Sequence, residues 1–261
     1  MRVNTTKQKL EAGGTVYGAI VSEVAPNLVE ALAMMGLDFV FLDGEHGTMD
    51  SASVEHMVRA AEVFGITPIA RVPNGEASTL LRFLDRGVQG LIVPHCNTAE
   101  QVQTVVRAAR YFPDGNRGMA GGRAHDYGYG PPQSETIKHI NANVLVVPMI
   151  EEVEAVNNLD SILKVPGVDV LHVASSDLGQ SMGNPGREVV RDAMKGIVQK
   201  IAAGGVPAGI GGNSPTDHEG IAELVGLGAR FVTISALALL GVGVKQFREG
   251  IDAAIARRPS P

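Results

Sequence analysis

Apolar residues gather in eight short runs of strand length: Val16–Val21, Phe39–Leu42, Thr67–Ala70, Gly90–Val93, Val144–Met149, Val168–Val173, Pro207–Ile210 and Arg230–Ile234. Within these runs apolarity is continuous and not alternating, as strands covered on both faces require, so the sheet should be parallel and flanked by helices. The intervening segments carry helical start signals. Asn97-Thr98-Ala99-Glu100 precedes Val102, Val105 and Val106, and Ser214-Pro215-Thr216-Asp217 precedes Ile221 and Leu224. Glycine then stands between helix and strand at Gly36, Gly65, Gly87 and Gly228, where a left-handed residue commonly ends a helix. Eight such units predict an α/β fold of the (β/α)8 TIM-barrel class, one domain over residues 1–261. An open doubly wound sheet is the alternative, weakened because no GxGxxG opens a helix after the first run.

One segment breaks the rhythm. From Tyr111 through Gly118, and again from Gly121 to Pro132, the chain is rich in Gly, Pro and aromatic residues. A connector of that length in a compact domain is either a functional flap, placed at residues 111–135, or a surface loop without chemistry.

Polar residues add the chemistry. Asp43, Glu45 and His46 follow the second run, Arg71 the third, Glu151 the fifth and Asp177 the sixth. In a barrel these positions share one rim, where catalytic groups from different strands converge. Glu151 and Asp177 would make a hard-oxygen site for Mg2+ or Mn2+. Taken singly, Glu151 could instead be a favourable charge at a helix N-terminus and Asp177 a helix cap. Arg71 suits a carboxylate or a developing enolate oxygen. His46, three residues after Asp43, could form an oriented acid-base pair with it.

Weaker candidates surround these. His95-Cys96, with His46, could offer softer metal ligands. His172 reads as a core residue, and Gly209–Asn213 as either an anion-receiving loop or a tightly packed turn. None of Lys7, Lys9, Lys138, Lys164, Lys195, Lys200 and Lys245 falls on a predicted strand. A Schiff-base lysine is therefore not expected, and carbanion chemistry here would need a metal.

Composition limits the partners. The 261 residues, 44% hydrophobic, can bury one large core. A net charge of -6 without a basic stripe argues against nucleic acid. The single cysteine, Cys96, precludes an intrachain disulfide and fits a reducing compartment. No leader-like start or apolar stretch of membrane-spanning length is seen, so a soluble, cytoplasmic protein without a membrane partner is expected. Residues 256–261 read as a frayed end.

Several motifs combine in order along nearly the whole chain: Asp43-Gly44-Glu45-His46, Arg71-Val72-Pro73, Leu84-Asp85-Arg86-Gly87 with Leu91-Ile92-Val93-Pro94, Tyr111-Phe112-Pro113 with Gly115-Asn116-Arg117-Gly118, Met149-Ile150-Glu151, and Gly167-Val168-Asp169 with Ser176-Asp177-Leu178. Together they resemble the HpcH/HpaI family of metal-dependent (class II) 2-keto-acid aldolases. The resemblance implies a divalent metal on Glu151 and Asp177, Mg2+ or Mn2+ foremost, with Co2+ or Zn2+ as alternatives. It also implies that Arg71 steadies the pyruvate oxygen and enolate, and that His46 and Asp43 transfer the proton. Glu45 becomes a supporting carboxylate that orients water around the metal.

The same resemblance implies a homo-oligomer, typically a hexamer, in which Asp85 reaches a neighbouring site, and a flap whose Arg123 contacts the acceptor aldehyde. The substrate carboxylate is expected at Ser176 and Asp177. There Ala174-Ser175 replaces the family's usual Gly-Pro, and His95, Cys96 and His125 also depart from it. The reaction implied is reversible cleavage of a 4-hydroxy-2-oxo acid to pyruvate or hydroxypyruvate and an aldehyde. Two alternatives are a barrel enzyme of the citryl- or malyl-CoA lyase or phosphoenolpyruvate type, and a non-catalytic 2-keto-acid-binding barrel.

Overall fold

In a computed structural model, which describes residues 2–258, all eight apolar runs form strands. They are β1 (Val16–Val21), β2 (Phe39–Asp43), β3 (Thr67–Arg71), β4 (Gly90–Val93), β5 (Leu145–Ile150), β6 (Leu171–Ala174), β7 (Ala208–Gly211) and β8 (Ala229–Ser235). All pair in parallel and close in sequence order into a barrel. The sequence expectation for residues 259–261 lies outside the described residues.

Continuous apolarity has the expected cause. One side of each strand fills the interior, where Phe39, Phe41, Ile69, Ile92, Leu145, Val147, Met149 and Phe231 pack together. The other side packs outward against helices through Val40, Leu42, Leu91, Val93, Val146 and Ile210. Phe39 and Phe231 stack with ring centroids 4.2 Å apart.

Twelve helices accompany the strands among the described residues: α1 (Thr5–Glu11), α2 (Pro26–Met34), α3 (Ser51–Phe64), α4 (Ala77–Asp85), α5 (Ala99–Ala109), α6 (Gln133–Asn143), α7 (Val153–Asn157), α8 (Leu159–Ile162), α9 (Ser175–Ser181), α10 (Arg187–Ala203), α11 (His218–Gly226) and α12 (Ala236–Ala256). The start signals work as read. Thr98 and Gln101 form a reciprocal capping box on α5, and Asp217 accepts from Gly220 N–H at the start of α11. Gly65 closes α3 in the left-handed conformation with φ +79°.

Two features depart from the sequence reading, and a third adds to it. β6 begins at Leu171, not Val168, because Asp169 is engaged by Lys7, Arg110 and the Val146 N–H before the strand starts. α1 was not anticipated. It closes the N-terminal mouth of the barrel with Leu10 in the interior, while Asn4 donates to the Gln89 and Asn143 carbonyls and Lys7 to that of Val144. Finally, α12 buries only Ala236, and its Leu237, Leu240, Val244, Phe247 and Ile251 recur every three or four residues at 44% to 69% exposure. No helix among the described residues is long and apolar enough to cross a membrane.

Candidate active site

The sheet itself assembles the first half of the site. Parallel register places Asp43, the last residue of β2, beside Arg71, the last of β3, and Gly44 N–H donates to the Arg71 carbonyl at 2.8 Å. The chain then turns so tightly that a Cβ on Gly47 would lie 2.2 Å from the Asp43 carbonyl oxygen. In this turn Asp43 Oδ1 accepts the backbone N–H groups of Glu45 and His46 at 3.2 and 3.1 Å. Arg71 completes the shell, donating through Nε to Oδ1 at 3.0 Å and through Nη2 to Oδ2 at 2.8 Å. Ser22 Oγ reaches Oδ2 at 3.4 Å.

Burial pushes the Asp43 carboxyl upward, but the Arg71 hydrogen bonds and charge, with the two backbone donors, outweigh it and hold the carboxyl below its ordinary range. Arg71 Nη1 also meets Glu45 Oε2 at 3.2 Å, and its guanidinium lies 5.3 Å from the centre of the Phe41 ring. The expected Asp43–His46 pair is thus present through the backbone only. The His46 side chain is 63% exposed, and its Nε2 faces Glu45 at 3.9 Å. Asp43 cannot fix that imidazole's tautomer because its acceptor positions already serve Arg71 and the turn.

The second half comes from β4, β5 and α9. Glu151 follows β5 at 2% exposure, and its Oε1 accepts the backbone N–H of His95 at 2.8 Å. Burial raises its pKa, and the charges of Asp177 and Glu45 push the same way, against the opposing influence of His95. It stands one position before Glu152, the cap residue of α7. Asp177 lies in the first turn of α9, whose cap residue is Ala174, so it is not the helix cap. Ser176 is exposed beside it, and no side chain caps α9.

His95 links the halves. Its Nδ1 meets Glu152 Oε1 at 2.7 Å and its Nε2 lies 3.6 Å from Glu45 Oε1. The Glu152 contact, with the charges of Glu151 and Glu45, raises the imidazole pKa against burial. Cys96 does not join it as a ligand. The thiol is buried, directed at the Val93 and Pro94 carbonyls, and burial pushes its pKa up to about 12. His172 is a core residue, as read. It sits edge-on to Phe41 and Phe231, and burial, with Arg71, lowers its pKa to about 3. Gly209 and Gly211 make room for it, since a Cβ on either would approach its ring nitrogens to 2.6 and 2.8 Å.

The flap lies at the other end. It connects α5 to β5 and therefore sits where strands begin, opposite the rim. There Arg123 pairs with Glu62 of α3, Arg117 pairs with Asp85 at 2.8 Å, and Tyr111 Oη meets His125 Nε2 at 2.7 Å. Asp85 and Arg123 are accordingly not brought to this chain's own rim. His95 as a link between the halves, and Glu152 as its partner, were missed by sequence reasoning; no local pattern signals a contact spanning 57 positions.

A closed parallel barrel that gathers ionisable side chains from several strands on its C-terminal rim has the architecture of a barrel enzyme. The sequence profile of the HpcH/HpaI aldolase/citrate lyase family matches residues 18–237, and the chain belongs to that family. It is 35% identical over 242 residues to a hydroxypyruvate/pyruvate aldolase of Roseobacter denitrificans, covering 89% of this chain and 91% of that one. A 4-hydroxy-2-oxovalerate aldolase of Novosphingobium aromaticivorans is 33% identical over 96% of this chain and 97% of its own. A crystal structure of an HpcH/HpaI aldolase/citrate lyase family protein from Burkholderia cenocepacia superposes with a TM-score of 0.87 at 30% identity, covering 96% of this chain and all of that one.

Proposed function

We propose that this protein is a class II aldolase that reversibly cleaves a 4-hydroxy-2-oxo acid to pyruvate or hydroxypyruvate and an aldehyde. The carrying observation is the uneven charge of the rim. Glu151 is buried and opposed by Asp177, yet among the described residues no Arg or Lys pairs with either. A buried carboxylate without a cationic partner is costly, and two carboxylates present the hard oxygens that Mg2+ or Mn2+ prefers. Among the described residues no group of three or more His, Cys, Asp and Glu forms a protein-only metal cage. A pair of carboxylates leaves coordination open for substrate oxygens. Glu151 and Asp177 would hold a divalent cation there, which would supply a Lewis acid for the negative charge that cleavage places on the 2-oxo acid.

The side chains support that chemistry directly. Two of the five guanidinium N–H groups of Arg71 donate to Asp43, and Nη1 lies 3.2 Å from Glu45 Oε2. The remaining N–H groups of the terminal nitrogens would serve a substrate oxygen, with Asp43 holding the guanidinium in place. His46, exposed at the rim with Glu45 as its nearest carboxylate, takes the 4-hydroxyl proton. Ser176 and Asp177 bring the first turn of α9 beside the substrate carboxylate.

The assembly reading is a homo-oligomer, a hexamer by family analogy. The exposed apolar stripe of α12 supports association, and in such an assembly Asp85 and Arg123, which face away from this rim, would act at a neighbour's site. The buried thiol of Cys96 accords with a cytoplasmic location. The deciding experiment follows pyruvate methyl protons by NMR in D2O. Exchange that requires Mg2+ supports the aldolase; no exchange with metal bound marks a binding protein, and exchange or cleavage undiminished by EDTA excludes the metal mechanism.

A further inference from the structure

His95 adopts φ +56°, in the left-handed region that L-residues with a Cβ enter at a cost. Its position gives that conformation a purpose. β4 ends at Val93, and the reversal at His95 turns the backbone N–H of this residue onto Glu151 Oε1 at 2.8 Å. One carboxylate oxygen is thereby committed to the protein. The other accepts no protein hydrogen bond among the described residues.

The imidazole holds the reversal in place. Nδ1 is seated on Glu152 Oε1, whose second oxygen accepts from Asn97 Nδ2 at 2.8 Å. Asn97 is itself fixed, its carbonyl accepting from Asn158 Nδ2 at 2.9 Å. On the other side of the turn the Cys96 thiol is anchored at the Val93 carbonyl. The loops after β4 and β5 are thus tied through one histidine, and Glu45 after β2 faces its Nε2 at 3.6 Å. Nδ1 is thus seated on Glu152, and Nε2 is left with Glu45 as a near neighbour.

We infer that His95 is a positioning residue: its left-handed backbone, locked by the imidazole–Glu152 contact, sets the rotamer of Glu151 and so presents the free carboxylate oxygen to the metal. This rests on the reading of Glu151 as a metal ligand, and the test separates the two. Mn2+ binding to the metal-stripped full-length chain is measured by the EPR signal of free Mn2+, for wild type, His95→Asn, His95→Ala, His95→Val, Glu152→Gln and Glu151→Gln. Asparagine enters the left-handed region readily, so His95→Asn should bind within about threefold of wild type. His95→Ala should bind about tenfold more weakly, with His95→Val weaker still.

Glu152→Gln, which touches no proposed ligand, should lose about threefold through the weakened lock. At saturating Mn2+ the Ala variant should regain most of its kcat, so the defect appears as a raised metal requirement. Far-UV circular dichroism in chelator checks that every variant is folded. If Glu151→Gln abolishes Mn2+ binding while Ala and Val bind like wild type, or Asn binds as poorly as Val, the positioning role is overturned and the ligand reading stands. If Glu151→Gln binds Mn2+ as wild type does, both fall.

Discussion

Replacing Asp43 by Asn preserves the side chain's size but removes the charge that Arg71 faces. The carboxylate accepts from Arg71 Nε and Nη2 at 3.0 and 2.8 Å and from two backbone N–H groups. An amide keeps one acceptor and turns its NH2 toward a guanidinium donor. The side chains are only 11% and 3% exposed, so solvent screens little of the loss. Breaking one partner of such a pair costs about 3–5 kcal/mol. The lower end applies, since Glu45 Oε2 still faces Nη1 at 3.2 Å. Spread over an unfolding entropy of about 2.1 cal/mol/K per residue, a loss of ~3 kcal/mol in 261 residues lowers Tm by about 5 °C. The sequence has no Trp, so the melt is followed by far-UV circular dichroism, in chelator so that metal binding does not offset the change. The folded pKa of Asp43 is depressed, so the pair's contribution is full above the unfolded value near 3.8 and is lost as pH falls through the folded pKa. The gap between wild type and variant should therefore hold from pH 7 to about pH 5 and close below the unfolded value. A gap under about 1 °C at pH 7, or one that persists undiminished at pH 3, would refute the reasoning.

Glu151→Gln should abolish Mg2+-dependent cleavage yet leave the Tm of the chelated protein unchanged or higher at pH 8. The raised pKa of Glu151 means that its ionised form costs stability as pH rises through the folded pKa, and the neutral amide escapes that cost. A clearly lower Tm would contradict this. Cys96 should resist a disulfide reagent at pH 8 in the native protein and react once unfolded, because its thiol pKa stands at about 12; modification of the native protein within minutes would show an accessible thiolate. Phe247→Glu with Leu240→Glu places charges on the apolar stripe of α12. Light scattering should then report a smaller assembly, and an unchanged mass would detach that stripe from oligomerisation.

Strands were legible because burial on both faces demands uninterrupted apolar runs, a demand that does not depend on neighbours. The rim was legible for the same reason: once strand ends are known, barrel closure places Asp43, Arg71 and Glu151 at one end. What could not be read were contacts made by distant polar groups. α1 is held by Asn4 on the Gln89 and Asn143 carbonyls, partners 85 and 139 positions away, and nothing local to Thr5–Glu11 announces them. The placement of Asp43 against Arg71, and not the His46 ring, depends on strand register, which the apolar pattern leaves open. The flap was recognisable by composition, but its end of the barrel follows from connectivity. A segment leading from a helix into a strand must lie at the end opposite the rim.

The two halves of the rim differ because the sheet delivers different neighbours to each. β2 and β3 are adjacent, and their register sets a carboxylate opposite a guanidinium, so Asp43 is paired by the fold itself. β5 and β6 are adjacent as well, but Glu151 and Asp177, which follow them, are both acidic. β4, lying between β3 and β5, contributes His95 and not a permanent cation. A cation arriving at the second half would therefore meet carboxylates that no Arg or Lys among the described residues pairs, whereas at Asp43 it would have to displace Arg71. On the proposed mechanism the same asymmetry divides the work: the paired half would keep Arg71 aimed at developing negative charge, and the acidic half would hold the divalent ion. Exchanging those roles would require reversing which strands bring Arg71 and Glu151, which the order of β2 to β6 does not permit.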